Sequence, residues 1–252
     1  MLLPLLLNLT LITPSAAVTI DDCDYEDTRS ASLTGASALR VEAGAGTLRV
    51  EGRADASTVR VEARLCASSR RLLDDMELET GVRDGRAEVV AVMPDRTRGS
   101  SYARMDLVIV VPHAMPARIV DGSGAMWLGG LGATRIEDGS GSVEIVGIRG
   151  SLEIEDGSGS LDIRDVSGDV EIDDGSGGIV LAGIQGNVLI EDGSGDIAIT
   201  DARRDVLIDD SSGSIRVDGV GGDFTVSDDG SGGIRHTGVQ GTVRVPPDRR
   251  GD

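Results

Sequence analysis

The tetrapeptide Asp-Gly-Ser-Gly begins at Asp121, Asp138, Asp156, Asp174, Asp192 and Asp229, and its variant Asp-Ser-Ser-Gly begins at Asp210. The intervals are 17, 18, 18, 18, 18 and 19 residues. A period this regular restricts the chain to a repeat architecture, in which each unit is too small to bury its own apolar side and must stack on its neighbours.

Each unit divides into two nine-residue halves of the form small-Gly-x-apolar-x-apolar-x-x-x. One example is Ser158-Gly159-Ser160-Leu161-Asp162-Ile163, followed by Ser167-Gly168-Asp169-Val170-Glu171-Ile172. Alternation with period two is the mark of a strand with one buried face, and the Gly-containing segments between the halves turn the chain back. The inward positions of the first halves read Val143/Ile145, Leu161/Ile163, Ile179/Leu181, Ile197/Ile199 and Ile215/Val217. Those of the second halves read Leu152/Ile154, Val170/Ile172, Val188/Ile190, Val206/Ile208 and Phe224/Val226. The expected fold is an all-β β-solenoid of about seven 18-residue, two-strand coils over residues 121–245, about 30 Å long at the usual strand spacing. Composition agrees: 36 glycines and only 2% aromatics leave a core of Val, Ile, Leu and Ala interrupted by tight turns.

Upstream, residues 38–120 are predicted to form an irregular β region that serves as N-terminal cap. Strand character is found at Leu39–Val41, Leu48–Val50, Val59–Val61, Glu88–Val92 and Leu107–Val111, with a short helix or bulging loop at Ser68–Met76. The apolar run Met1–Ile12, ending in Pro14-Ser15-Ala16-Ala17, reads as a secretory signal peptide over residues 1–17. Residues 18–37 are an N-terminal segment, and 246–252, opening on Pro246 and Pro247, a loose tail. No later run is long and apolar enough to span a bilayer as a helix. The expected location is therefore periplasmic, cell-surface or secreted. In such a compartment Cys23 and Cys66 are predicted to form a disulfide, and Cys23 lacks a lipobox before it.

All 24 basic residues are arginine, against 43 acids, for a net charge of −19. An acidic chain repels the polyanion it would have to neutralise, so nucleic acid is excluded as a partner. Catalytic residues are not evident. His236 falls in an inward slot of the last coil, His113 follows Pro112 in a turn, the motif serines have no repeating histidine, and no phosphate loop or metal-binding Cys/His spacing occurs. Arg250-Gly251-Asp252 spells an integrin-type tripeptide, read here as chance.

Two features carry the functional expectations. Acids recur at one corner: Glu137/Asp138, Glu155/Asp156, Asp173/Asp174, Glu191/Asp192, Asp209/Asp210 and Asp228/Asp229. Such a stack is tolerated if each Asp accepts hydrogen bonds from the following amides in an Asx-type turn, or if calcium sits between coils on Asp138, Asp156, Asp174, Asp192, Asp210 and Asp229. The turn is the favoured alternative, and no other cofactor is expected. The second feature is a set of outward apolar residues, Val180 and Ala198 on one face and Leu189 and Leu207 on the other, that offers a partner surface.

The order of Leu48-Arg49-Val50-Glu51-Gly52, Val59-Arg60-Val61-Glu62-Ala63, Leu107–Pro112 and the Ser-Gly-Asp-Val and Gly-Asp-Val-x-Ile repeats resembles the bacterial putative adhesin family, exported β-strand-repeat proteins of undefined function. The resemblance implies an adhesin-like or envelope-associated role and no catalytic residues. The leading expectation is a non-enzymatic solenoid that binds a protein or polysaccharide of the cell envelope, in an undetermined oligomeric state. A calcium-stabilised solenoid and a polysaccharide-active enzyme using paired acids are the alternatives.

Overall fold

The computed structural model describes residues 23–94 and 101–246. The expected signal peptide, the Arg-Gly-Asp tripeptide and the tail beyond Pro246 lie outside the described residues.

In the N-terminal region the chain forms β1 (Tyr25–Leu33), β2 (Ala38–Glu42), β3 (Leu48–Arg53), β4 (Val59–Ala67), α1 (Arg70–Asp74), β5 (Glu77–Arg83), β6 (Arg86–Val92) and β7 (Ala103–Pro112). The repeat begins with β8 (Ala117–Asp121), β9 (Gly124–Gly129), β10 (Thr134–Asp138), β11 (Gly141–Ile148), β12 (Leu152–Asp156), β13 (Gly159–Val166) and β14 (Val170–Asp174). It continues through β15 (Gly177–Ile184), β16 (Val188–Asp192), β17 (Ile197–Ala202), β18 (Val206–Asp210), β19 (Ile215–Val220), β20 (Phe224–Asp229), β21 (Ile234–Val239) and β22 (Val243–Arg244).

These strands make two sheets of eleven. Sheet A runs β1-β4-β7-β3-β9-β11-β13-β15-β17-β19-β21, and sheet B runs β22-β20-β18-β16-β14-β12-β10-β8-β2-β6-β5. From β8 onward the chain alternates between sheets, and every strand pairs in parallel with the strand one coil away, as Val170↔Val188 and Leu161↔Ile179 illustrate. The protein is the β-solenoid that the period predicts. Its core is a run of aliphatic ladders in which Ile145, Ile163, Leu181 and Ile199 from sheet A, and Ile154, Ile172, Ile190 and Ile208 from sheet B, are at most 1% exposed. β-branched side chains are stiff and pack well on a pleated surface, so Val and Ile both form and fill this interior.

The two departures from an 18-residue interval are absorbed locally. In the 17-residue coil Leu131 fills the place that Ile148 takes one coil later, and the turn to Thr134 is one residue shorter than the turn from Ile148 to Leu152. In the 19-residue coil the register shifts between Ile208 and Asp209, a bulge where the Ser227 hydroxyl donates to the Ile208 carbonyl at 3.2 Å.

The N-terminal region is continuous with the stack: β2 pairs in parallel with β8, and β3 with β9. The chain then leaves the coil and returns as β4–β7, which add antiparallel pairs at that end. The helix expected between Ser68 and Met76 is α1, with the Ser69 hydroxyl accepting the Leu72 amide at 3.3 Å. Three strands, β1, β5 and β8, lie where none was predicted. β5 closes a hairpin through Asp84 and Gly85, both at positive φ. β1, within segment 18–37, is mostly exposed and is held as an antiparallel edge on β4. Its composition is polar, so apolar periodicity could not reveal it.

Candidate functional site

The Asp-Gly-Ser-Gly corner is built from the end of each sheet B strand. In β12, Leu152, Ile154 and Asp156 alternate inward while Glu153 and Glu155 face out, and β14, β16 and β18 repeat the pattern. The two acids of each corner therefore have opposite fates, which the sequence reading, placing both at the corner, did not distinguish. The first of each pair forms an outer row, Glu137, Glu155, Asp173, Glu191 and Asp209, in register across adjacent strands. The second forms an inner ladder. Asp121, Asp138, Asp156, Asp174, Asp192 and Asp210 face each other strand by strand, and none is more than 6% exposed. Asp229 continues the ladder, half-buried, in the last coil.

The expected Asx-type turn is present. The amides of Ser158, Ser176, Ser194 and Ser212 donate to Oδ1 of Asp156, Asp174, Asp192 and Asp210 at 3.2, 3.1, 3.0 and 2.8 Å. Each Oδ2 of these four carboxyls is buried without a hydrogen-bond partner. Burial pushes the carboxyls of Asp121, Asp138, Asp174 and Asp192 up to about 6, and like charge from neighbouring rungs adds to this at Asp138, Asp174 and Asp192. Asp156 and Asp210 are raised for the same first reason, burial.

Calcium requires six to eight oxygens converging on one point. Among the described residues no group of three or more His, Cys, Asp or Glu side chains is disposed to hold a metal ion. The inner ladder spreads its carboxyls along a line, one per coil, with one oxygen of most rungs already committed to a serine amide.

The outer row is partly neutralised at its N-terminal end only. Arg118 reaches Glu137 at 2.6 Å, and Arg135 contacts Glu137 at 3.6 Å, Glu155 at 2.5 Å, and Glu153. Farther along, Glu171, Asp173, Glu191 and Asp209 stand on sheet B beyond the reach of these arginines. On sheet B the outward side chains thus pass from basic (Arg40, Arg118, Arg135) to acidic (Glu153, Glu171) to apolar (Leu189, Leu207) in one continuous register.

The four outward apolar residues do not meet. Val180 pairs with Ala198 on sheet A and Leu189 with Leu207 on sheet B, so they make two separate couples on opposite faces, with Val180 and Leu207 the more exposed member of each. The predicted disulfide joins Cys23 to Cys66 with Cα atoms 5.5 Å apart, tying the start of β1 to β4. His236 occupies the inward register of Val217 in the last coil, where its ring lies 5.8 Å from that of Phe224. One residue was missed. Trp127 stands on the outer face of sheet A, folded over Gly129, with the Arg49 guanidinium 3.7 Å from its ring centroid. Its sequence signal was the only Trp of the chain occupying the slot held by Glu144 and Asp162 in the next coils.

No protein-family model and no curated protein matches the chain. Among solved structures it is similar to a putative cell adhesion protein from Clostridium sporogenes, with 11% identity and a TM-score of 0.31 over 88% of this chain and 99% of that one. It is also similar to a putative adhesin from Bacteroides fragilis, with 13% identity and a TM-score of 0.37 over 88% and 98% of the chains. A putative lipid binding protein from Parabacteroides distasonis aligns with 13% identity and a TM-score of 0.32 over 89% and 98%. At these scores and identities the likenesses carry no argument about ligand or activity.

Proposed function

We propose that the chain is a non-enzymatic, extracytoplasmic binding rod whose sheet B face engages a repeating polymer of the cell envelope, a polysaccharide or a protein. The observation that carries this reading is the outer carboxylate row: Glu155, Asp173, Glu191 and Asp209 stand in strict register on consecutive coils. Acceptors repeated about every 4.8 Å along a stiff surface suit a ligand that is itself periodic, because each added contact is made without further ordering of the protein. The Cys23–Cys66 disulfide supports an oxidising compartment. Among the described residues no helix is long and apolar enough to cross a membrane.

The alternative of a polysaccharide-active enzyme needs two acids facing each other across a substrate. The outer acids instead repeat side by side on one sheet, which favours binding over catalysis. The test is binding of the mature, oxidised chain to purified envelope polysaccharides and envelope proteins by biolayer interferometry, beside the shape-preserving variant E155Q/D173N/E191Q. Saturable binding to one ligand class, weakened about tenfold or more in the variant, is expected. Failure to bind any of them, or release of new reducing ends from a polysaccharide, would overturn the reading.

A further inference from the structure

We propose that the inner aspartate ladder is a proton-binding site that locks successive coils together in mildly acidic surroundings. The argument starts from geometry. Asp121, Asp138, Asp156, Asp174, Asp192 and Asp210 are neighbours in register, one strand spacing apart, about 4.8 Å, and at least 94% buried. Oδ2 of Asp156, Asp174, Asp192 and Asp210 is sealed from water with no donor to meet it. A buried acceptor without a donor is costly, and a row of buried like charges more so. A proton on one rung removes a charge and turns Oδ2 into a donor that can reach a carboxyl of the next coil, which answers both costs at once.

Among the described residues no donor meets these Oδ2 atoms. The remaining charges on the ladder strands, the acids Glu137, Glu153, Glu155, Glu171, Asp173, Glu191 and Asp209 and the bases Arg118 and Arg135, occupy the outward positions, and Asp196 and Asp229 add negative charge near Asp210. The strands of sheet A that follow each turn open their buried faces with Val143, Leu161, Ile179, Ile197 and Ile215. Arg118 and Arg135 are engaged with the outer row. The raised affinity of the buried carboxyls for protons, caused by burial, agrees with this arrangement. The sign follows from linkage. A carboxyl whose folded pKa lies above its unfolded value binds more protons when folded, so its contribution favours folding at low pH and is lost as pH rises through about 6.

The experiment is urea unfolding of the oxidised chain in 0.5 M NaCl, which screens the surface acids, at pH 5 and pH 8, with EDTA and with millimolar calcium. The wild type is expected to have the higher midpoint at pH 5, by about 0.5 M urea or more. In D174N/D192N the amide replaces the protonated acid, so the midpoint at pH 8 is expected to rise and the difference between pH 5 and pH 8 to shrink. In D173N, which removes an outward charge from the same strand, that difference is expected to persist. His113 and His236 are unchanged in all three proteins and cannot account for a difference between them. Should the double variant fail to fold, potentiometric titration of native against urea-unfolded wild type decides. The native chain is expected to hold more protons between pH 4.5 and 7. Equal midpoints at both pH values, or a native state holding fewer protons, would overturn the proposal. So would a wild type stabilised at pH 8 by calcium and weakened there by the asparagines, which would make the ladder a cation site.

Discussion

A Cβ atom on Gly177 would lie 1.6 Å from the carbonyl oxygen of Gly159 in the preceding coil, and φ at Gly177 is +148°. The first glycine of the same motif, Gly175, is excluded from carrying a side chain by the Gly157 carbonyl oxygen, 2.6 Å from the position of its Cβ. Both glycines of Asp-Gly-Ser-Gly are therefore demanded by the coil beneath as well as by the turn. Gly177→Ala is expected to cost about 3 kcal/mol, since neither the strained backbone nor the neighbouring carbonyl can yield, measured as a drop in the urea midpoint. A cost under about 1 kcal/mol would mean the coils separate more easily than this packing allows. Arg135 marks the opposite extreme. Its ion pairs with Glu137, Glu153 and Glu155 are about one-third exposed or more, so Arg135→Ala is expected to cost less than about 1 kcal/mol, with the loss fading further in high salt.

Among the elements, β1 has the weakest claim to its place. It buries little, sits on the outer edge of sheet A and is pinned by the Cys23–Cys66 bridge, which spans 43 residues. Reduction, or Cys23→Ser with Cys66→Ser, is expected to lower stability by about 3 kcal/mol. It is also expected to open β1 to proteolysis between residues 24 and 34 while the coils from β8 onward stay protected, a contrast that hydrogen exchange would map. Uniform loss of protection along the chain would mean instead that the bridge holds the entire solenoid. Apolar periodicity predicted most of the aliphatic strands from β2 onward, though not β5 or β8, and could not find β1, because an edge strand with polar side chains on both faces has no pattern to show. The candidate site was legible to the same degree: the Asx-type turns follow from the motif, whereas the separation of Asp173 from Asp174 into outward and buried rows required the position of the strand end.

For the whole molecule, additive coils make a sharp expectation. Deleting residues 175–192 removes β15 and β16 together and joins Asp174 to Gly193-Ser194-Gly195, restoring the motif. The product is expected to fold to a rod shorter by about 4.8 Å, with an unchanged circular dichroism spectrum per residue and a modestly lower midpoint, as X-ray scattering and urea unfolding would report. Deleting only 175–183 should abolish cooperative unfolding, because every later strand would be delivered to the wrong sheet; a cooperative transition in that variant would contradict the two-strand coil.

The sequence by itself determined the 18-residue, two-strand coil and the inward aliphatic ladders, since both depend on spacing along the chain, which period and alternation report directly; the cysteine pairing followed from their even number in a chain whose N-terminus reads as a secretory leader. Tertiary structure alone decided that Asp156 and its counterparts are buried with an oxygen unanswered, and that Leu131, Ile148, Val166, Ile184 and Val220 close the opposite corner of the core. Alternation tells which residues share a face. Whether a residue beside a turn faces water or the interior depends on where the backbone bends and on the coil stacked against it, and neither is a local property of the chain.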